Sequence, residues 1–336
     1  MRRCFLHVGF HKTATTSFQL TLQHNRSLLE QDGIYLPKFR GKKQKFSANH
    51  SGQIKDLFSK DIQHLWNRVG RLKSTDEHQH KSIEDHCRSL TELLNQNHDI
   101  LISGEGISTM PEHALIRLKS KLEDNGFVVE PFALVRSPYA FITSALQQTI
   151  KNGKYQPLIG LIPRQEKRSG LAFKIPSSSK SIRSLNQVFG DRMHYIPFKR
   201  ATDHPGGPVL YLLQEVLKLK QAEQYRLINA NESKSNASTR LKNFLNQQHP
   251  HADKGTLRNL FKTISLKSEQ QKFLLTEKEF SLIESEFKRV KREMKRELGE
   301  EFIEEKIALS SEFSAEETNY LLAQLSQKLY EFAIKE

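Results

Sequence analysis

The sequence predicts an α/β protein, a parallel β-sheet flanked by helices and followed by a mostly helical C-terminal part. Three observations predict it. Short apolar runs alternate with stretches of helical spacing up to about residue 200, and three of those runs end in a polar turn. From about residue 214 the pattern turns helical and densely charged. Strands that alternate with helices pair in parallel, because each crossover returns the chain to the same end of the sheet.

The elements follow in order. Residues 4–9, "CFLHVG", form a short β-prone run closed by a glycine turn, which fits a buried strand. Residues 15–31 have helical spacing, with Phe18, Leu22, Leu28 and Leu29 available for an inner face. Strand, glycine loop and helix make the first half of a βαβ unit. Residues 33–37 give a short second strand, and the lysine-rich stretch at 38–45 reads as a solvated loop. Helices are expected at 54–72, 82–96 and 111–125, strands at 100–103, 132–135 and 193–198, and a further helix from Tyr139. Residues 151–182 carry Gly, Pro, Ser and Lys without clear periodicity and read as an irregular lid or substrate segment. The expected division is an α/β core at 1–215, which includes that segment, and a mostly helical part at 216–336 packed on it or extending it.

Composition narrows the classes of partner. With 37% hydrophobic and 27% charged residues, the chain of 336 residues is ordinary for a folded protein. Its 52 Lys+Arg against 38 Asp+Glu give a formal charge of +14, which steers anionic partners inward. The charge alone does not choose among a nucleotide, an acidic glycan, nucleic acid and anionic lipid. The mixed-sign C-terminal helices read as solvated surface, so no nucleic acid is expected. Cys4 and Cys87 lack metal-ligand spacing and build no disulfide framework. His7, His11 and Lys12 interrupt the first apolar run before a signal segment forms, and no stretch approaches the apolar length of a membrane span. The expectation is a cytoplasmic, unanchored protein.

A parallel sheet binds ligands at the carboxyl ends of its strands. Three polar turns fall there: 9–16, 103–108 and 136–144. In the first, Gly9 permits a tight turn, and the amides around Lys12 to Thr16 lie beside a helix N-terminus, where orphan N–H groups and the dipole favour an anion. Lys12 adds a full positive charge, and Thr15 and Thr16 add hydroxyl donors. Against the template Gly-x-x-x-x-Gly-Lys-Ser/Thr of nucleoside triphosphatases, counted from Gly9, the last three positions read Ala14, Thr15 and Thr16. The lysine comes too early and the second glycine is absent.

"GFHKTATTS" instead resembles the 5′-phosphosulfate loop of sulfotransferases that use 3′-phosphoadenosine 5′-phosphosulfate (PAPS), in its bacterial and carbohydrate-type form. "RSPYAFITS" is similar to the family's 3′-phosphate signature, an arginine and a serine eight residues on, here Arg136 and Ser144 with Pro138 between them. The stretch "NANESKSNASTRLKNFLN" resembles a downstream segment of the bacterial members. The resemblance implies the P-loop, nucleotide-kinase-like sulfotransferase fold. It implies that PAPS is held by Gly9, His11, Lys12, Thr13, Ala14, Thr15 and Thr16 with Arg136 and Ser144, and that no metal is required. Ala14 stands where the family frequently has glycine, a position at which left-handed backbone angles come freely only to glycine.

Sulfuryl transfer to a hydroxyl or amine needs positive charge near the sulfonate and leaving phosphate, which Lys12 supplies, and a base for the acceptor's proton. Glu105, in "SGEGIS", and His50, in "SANHSG", are the candidates for the base, with His11 third. The expected acceptor is a saccharide or glycoconjugate. Two other functions fit less of the pattern: a small-molecule kinase using ATP, with Thr16 on its metal, and a non-catalytic anion- or glycan-binding protein on the same fold.

Overall fold

The computed structural model describes residues 1–40, 46–59, 77–161, 175–230, 234–250, 266, 272–311 and 314–333. Parts of the expected 38–45 loop, 54–72 helix and 151–182 segment lie outside the described residues. Among the described residues five strands form one sheet: β1 (Arg2–Gly9), β2 (Ile34–Tyr35), β3 (Asp99–Ser103), β4 (Phe127–Val135) and β5 (His194–Pro197). Their order is β2-β3-β1-β4-β5. Every pair is parallel, so the architecture is the α/β one that the alternation predicts.

The chain makes two compact units. The first comprises Met1–Arg136 and Ser178–Asn231, the second Ser137–Ser177 and Glu232–Glu336. The sequence divides the chain at 215, whereas the units part after residues 136, 177 and 231. In the first unit the sheet is flanked by α1 (Thr15–His24), α2 (Arg26–Gln31), α3 (Ser51–Phe58), α4 (Glu77–Leu94) and α5 (Glu112–Glu123). The second unit begins with α6 (Pro138–Lys151). The chain then returns to the first for α7 (Ser179–Phe189) and the short helices α8 (Phe198–Thr202) and α9 (Gly207–Tyr211). β1 is buried from Cys4 to Gly9, as a central parallel strand covered on both faces must be. One core cluster joins Phe5, Phe18, Leu22, Leu29, Leu101, Phe132, Leu134 and Ile196.

Two elements differ from the sequence pattern for identifiable reasons. The helix expected at 15–31 breaks at Asn25, whose Nδ2 donates to the Thr21 carbonyl at 2.7 Å and to the Arg226 carbonyl at 3.0 Å. Beside the break, a polar stripe on α1 accepts alternate backbone N–H groups of an extended segment. Arg226 N–H donates to Asn25 Oδ1, Ile228 N–H to Thr21 Oγ1 and Ala230 N–H to Ser17 Oγ. β4 starts at Phe127 rather than 132, because Glu130 and Pro131 interrupt its apolar run. β5 pairs with β4 only from Phe132 onward, so Pro131, which lacks an N–H, sits where β4 has a single partner, β1.

The second unit contains α6, α10 (Asn236–Gln248), α11 (Glu277–Ser281), α12 (Glu284–Leu298) and α13 (Ala315–Ala333). Its interior is polar along one face of α10, where Asn236, Arg240, Asn243 and Asn246 are buried at helical spacing. Arg240 and Glu279 form a bidentate ion pair at 2.6 and 2.8 Å, both side chains nearly inaccessible. Asn243 Nδ2 donates to the carbonyls of Gln156 and Ile159, which anchors the start of the irregular segment after α6. No helix among the described residues is long and apolar enough to cross a membrane.

Candidate functional site

The site begins where the sheet's winding reverses. The chain leaves β1 toward β2 on one side and leaves β4 toward β5 on the other, so the loops after β1 and β4 diverge at the carboxyl edge, where open parallel sheets bind their ligands. The loop after β1 lies there. Gly9 has φ 119°, and a Cβ on it would meet the Glu105 Cα and carbonyl oxygen at 3.2 Å, so only glycine lets the β1 and β3 loops approach this closely. Lys12 (φ 71°) and Ala14 (φ 59°) are left-handed, conformations that cost an ordinary residue about 1–2 kcal/mol each. Left-handed residues placed at alternate positions belong to the backbone nests that cup anions.

Ala14 is the N-cap of α1, and no side chain caps the helix. The leading amides of its first turn therefore meet an approaching ligand uncapped, and no acidic residue occurs in that turn. Thr13 and Thr15 are buried and turn inward, each Oγ1 donating to the Phe10 carbonyl, at 2.6 and 3.1 Å. Their hydroxyls brace the loop, which leaves their backbone amides for a ligand and corrects the expectation for the Thr15 hydroxyl. Thr16 is exposed at the start of α1.

Arg136 closes the other side. It follows β4 directly, and its Nε donates to the Lys12 carbonyl, so the arginine of the second motif meets the first motif's loop within the first unit. Its guanidinium lies 4.3 Å over the Phe198 ring at the start of α8. Burial lowers its pKa to about 10, which leaves it a cation at neutral pH. The fork thus holds the strained Lys12 peptide with one arm and retains its Nη groups for an anion. Ser144, the other half of that signature, lies in α6 of the second unit.

The base candidates separate by environment. Glu105 Oε2 lies 3.3 Å from His11 Nδ1. The hydrogen bond from His11, with the charges of His11, Lys12 and His7, outweighs burial and holds the Glu105 carboxyl below its ordinary range. The flanking glycines serve α3 rather than exposure of Glu105. A Cβ at Gly104 would meet the Ser51 backbone nitrogen at 2.9 Å, and the Gly106 N–H donates to Ser51 Oγ at 2.8 Å.

His50 is corrected by the structure. It is buried, its Nδ1 accepts the Ser103 N–H at 3.0 Å, and its ring also bonds the Ser47 backbone. Burial, aided by the Arg26 charge, pushes its pKa down to about 3. It has no lone pair to offer an acceptor and fastens α3 to the end of β3. Sequence reading also missed the Ser103 hub: its Oγ meets His7 Nδ1 at 2.8 Å and Gln19 Nε2 at 3.1 Å. The available signal was a histidine and a serine within two otherwise apolar strands, at positions the register sets opposite each other.

Compared with models of protein families, with curated proteins and with solved structures, the chain finds no match. The functional reading therefore rests on the loops themselves.

Proposed function

We propose that this chain is a PAPS-dependent sulfotransferase of the P-loop class, which moves a sulfuryl group to a hydroxyl or amine of a saccharide-like acceptor. The observation that carries the proposal is the meeting of Lys12 and Arg136 at the carboxyl ends of the neighbouring strands β1 and β4. A left-handed loop leading into an uncapped helix N-terminus fits a phosphosulfate, and a half-buried arginine fork beside it fits a second phosphate. The donor supplies an activated sulfuryl group.

The residues of this chain do the rest. The amides of 12–16 fix the anion's position, Lys12 places positive charge where negative charge grows as the transferring bond breaks, and Arg136 holds the loop in register. Glycine at 9 and the inward hydroxyls of Thr13 and Thr15 keep that arrangement rigid before a ligand arrives.

Isothermal titration with adenosine 3′,5′-bisphosphate, ADP and ATP tests the assignment. The bisphosphate should bind at least about tenfold more tightly than ADP, the discrimination of one charge-assisted phosphate contact. Equal affinities would remove the 3′-phosphate role of Arg136. Preference for ATP with magnesium would favour a kinase instead.

A further inference from the structure

Resting on the sulfotransferase reading, we propose that His11 takes the acceptor's proton and that Glu105 is its positioning partner, the two forming one dyad across the ends of β1 and β3. The strands that carry them are neighbours in register, His7 lying opposite Ser103, so both side chains leave the same edge of the sheet. The two loops touch at Gly9 and Glu105, where an added Cβ would find 3.2 Å. Side-chain proximity follows: His11 Nδ1 is 3.3 Å from Glu105 Oε2.

A carboxylate only accepts hydrogen bonds, so the Nδ1 facing it carries a proton and the neutral ring's lone pair lies on Nε2. Exposure then decides which member meets a ligand. The His11 side chain is 48% accessible and that of Glu105 28%, so the imidazole is the outer group. The environment of Glu105 agrees. The hydrogen bond from His11 and the charge of Lys12 favour the charged carboxylate, which makes it a weaker proton acceptor and a better partner for an imidazolium.

The step balances. As the acceptor oxygen bonds to sulfur, its proton passes to His11 Nε2. The electron pair of the breaking S–O bond leaves on the phosphate oxygen, and the imidazolium formed is offset by Glu105. Imidazole is the side chain whose chemistry suits proton uptake near neutral pH.

Two measurements on the full chain test the dyad. Long-range nitrogen–proton NMR of the ligand-free protein reads the tautomer: His11 should carry its proton on Nδ1 in the wild type and revert to Nε2 in Glu105→Ala. A wild-type Nε2–H tautomer overturns the dyad. The second reads single-turnover sulfate release from PAPS with water as the acceptor, alongside calorimetry of bisphosphate binding. His11→Gln should lower release by about 100-fold while bisphosphate affinity changes less than about threefold. Equal release from the two proteins, at whatever level, overturns the base assignment alone. Absence of bisphosphate binding by the wild type overturns the sulfotransferase reading and, with it, the assignment.

Discussion

Replacing Ala14 with glycine should stabilise the protein, against the usual outcome for a glycine introduced at a helix. Ala14 sits at φ 59°, ψ 15° as the N-cap of α1. That conformation costs an L-residue about 1–2 kcal/mol, and glycine adopts it freely. Glycine also loosens the unfolded chain, which costs about 0.4–1 kcal/mol. The difference is a net gain of about 0.5–1 kcal/mol, a two- to fivefold shift in the folding equilibrium. Ala14→Val provides the opposite control, since a β-branched side chain is excluded from left-handed angles and should lose more than about 1 kcal/mol. Urea unfolding followed by far-ultraviolet circular dichroism reads both. A fall in the Ala14→Gly midpoint equivalent to about 0.5 kcal/mol would refute the reasoning, because Ala14 would then not be held in the strained conformation.

Burial holds the pKa of His7 near 4 and that of His50 near 3, whereas both titrate close to 6.5 in an unfolded chain. Above pH 6.5 both states are neutral. Below it the unfolded chain binds protons that the folded one refuses, so stability should fall from pH 6.5 toward 4 by about 1.4 kcal/mol per pH unit for each imidazole. His50→Asn, whose side-chain oxygen accepts the Ser103 N–H without titrating, should reduce that slope, as urea midpoints at pH 7, 6 and 5 will show. In the second unit, Arg240→Ala leaves Glu279 buried without its partner and should cost about 3–5 kcal/mol. Adding Glu279→Gln should recover part of the loss, because a neutral amide leaves no unpaired charge buried and its one oxygen still accepts either the Thr276 or the Gly160 N–H, which the glutamate takes on separate oxygens; thermal unfolding of the single and double variants measures it.

The sequence by itself determined the features that are local. Alternating apolar runs and helical spacing specify a parallel sheet, because a strand buried on both faces is apolar at nearly every position, and Cys4 to Val8 are, apart from His7. A glycine, a lysine and threonines after the first strand mark the loop proposed to bind an anion, since glycine sets its turn and lysine its charge, whereas the inward bracing by Thr13 and Thr15 came only with the structure. The tertiary structure decided everything that depends on which strands are neighbours. Lys12 meets Arg136, and His11 meets Glu105, because β1 lies between β3 and β4, an order fixed by how the crossover helices pack and invisible to any window of sequence. The same holds for His50. In sequence it is a loop histidine suited to base chemistry, and only the approach of α3 to the end of β3 buries it and commits its lone pair to the Ser103 amide. A side chain's chemistry is set by its atoms, but whether those atoms face water, a ligand or another peptide is settled by contacts between distant parts of the chain.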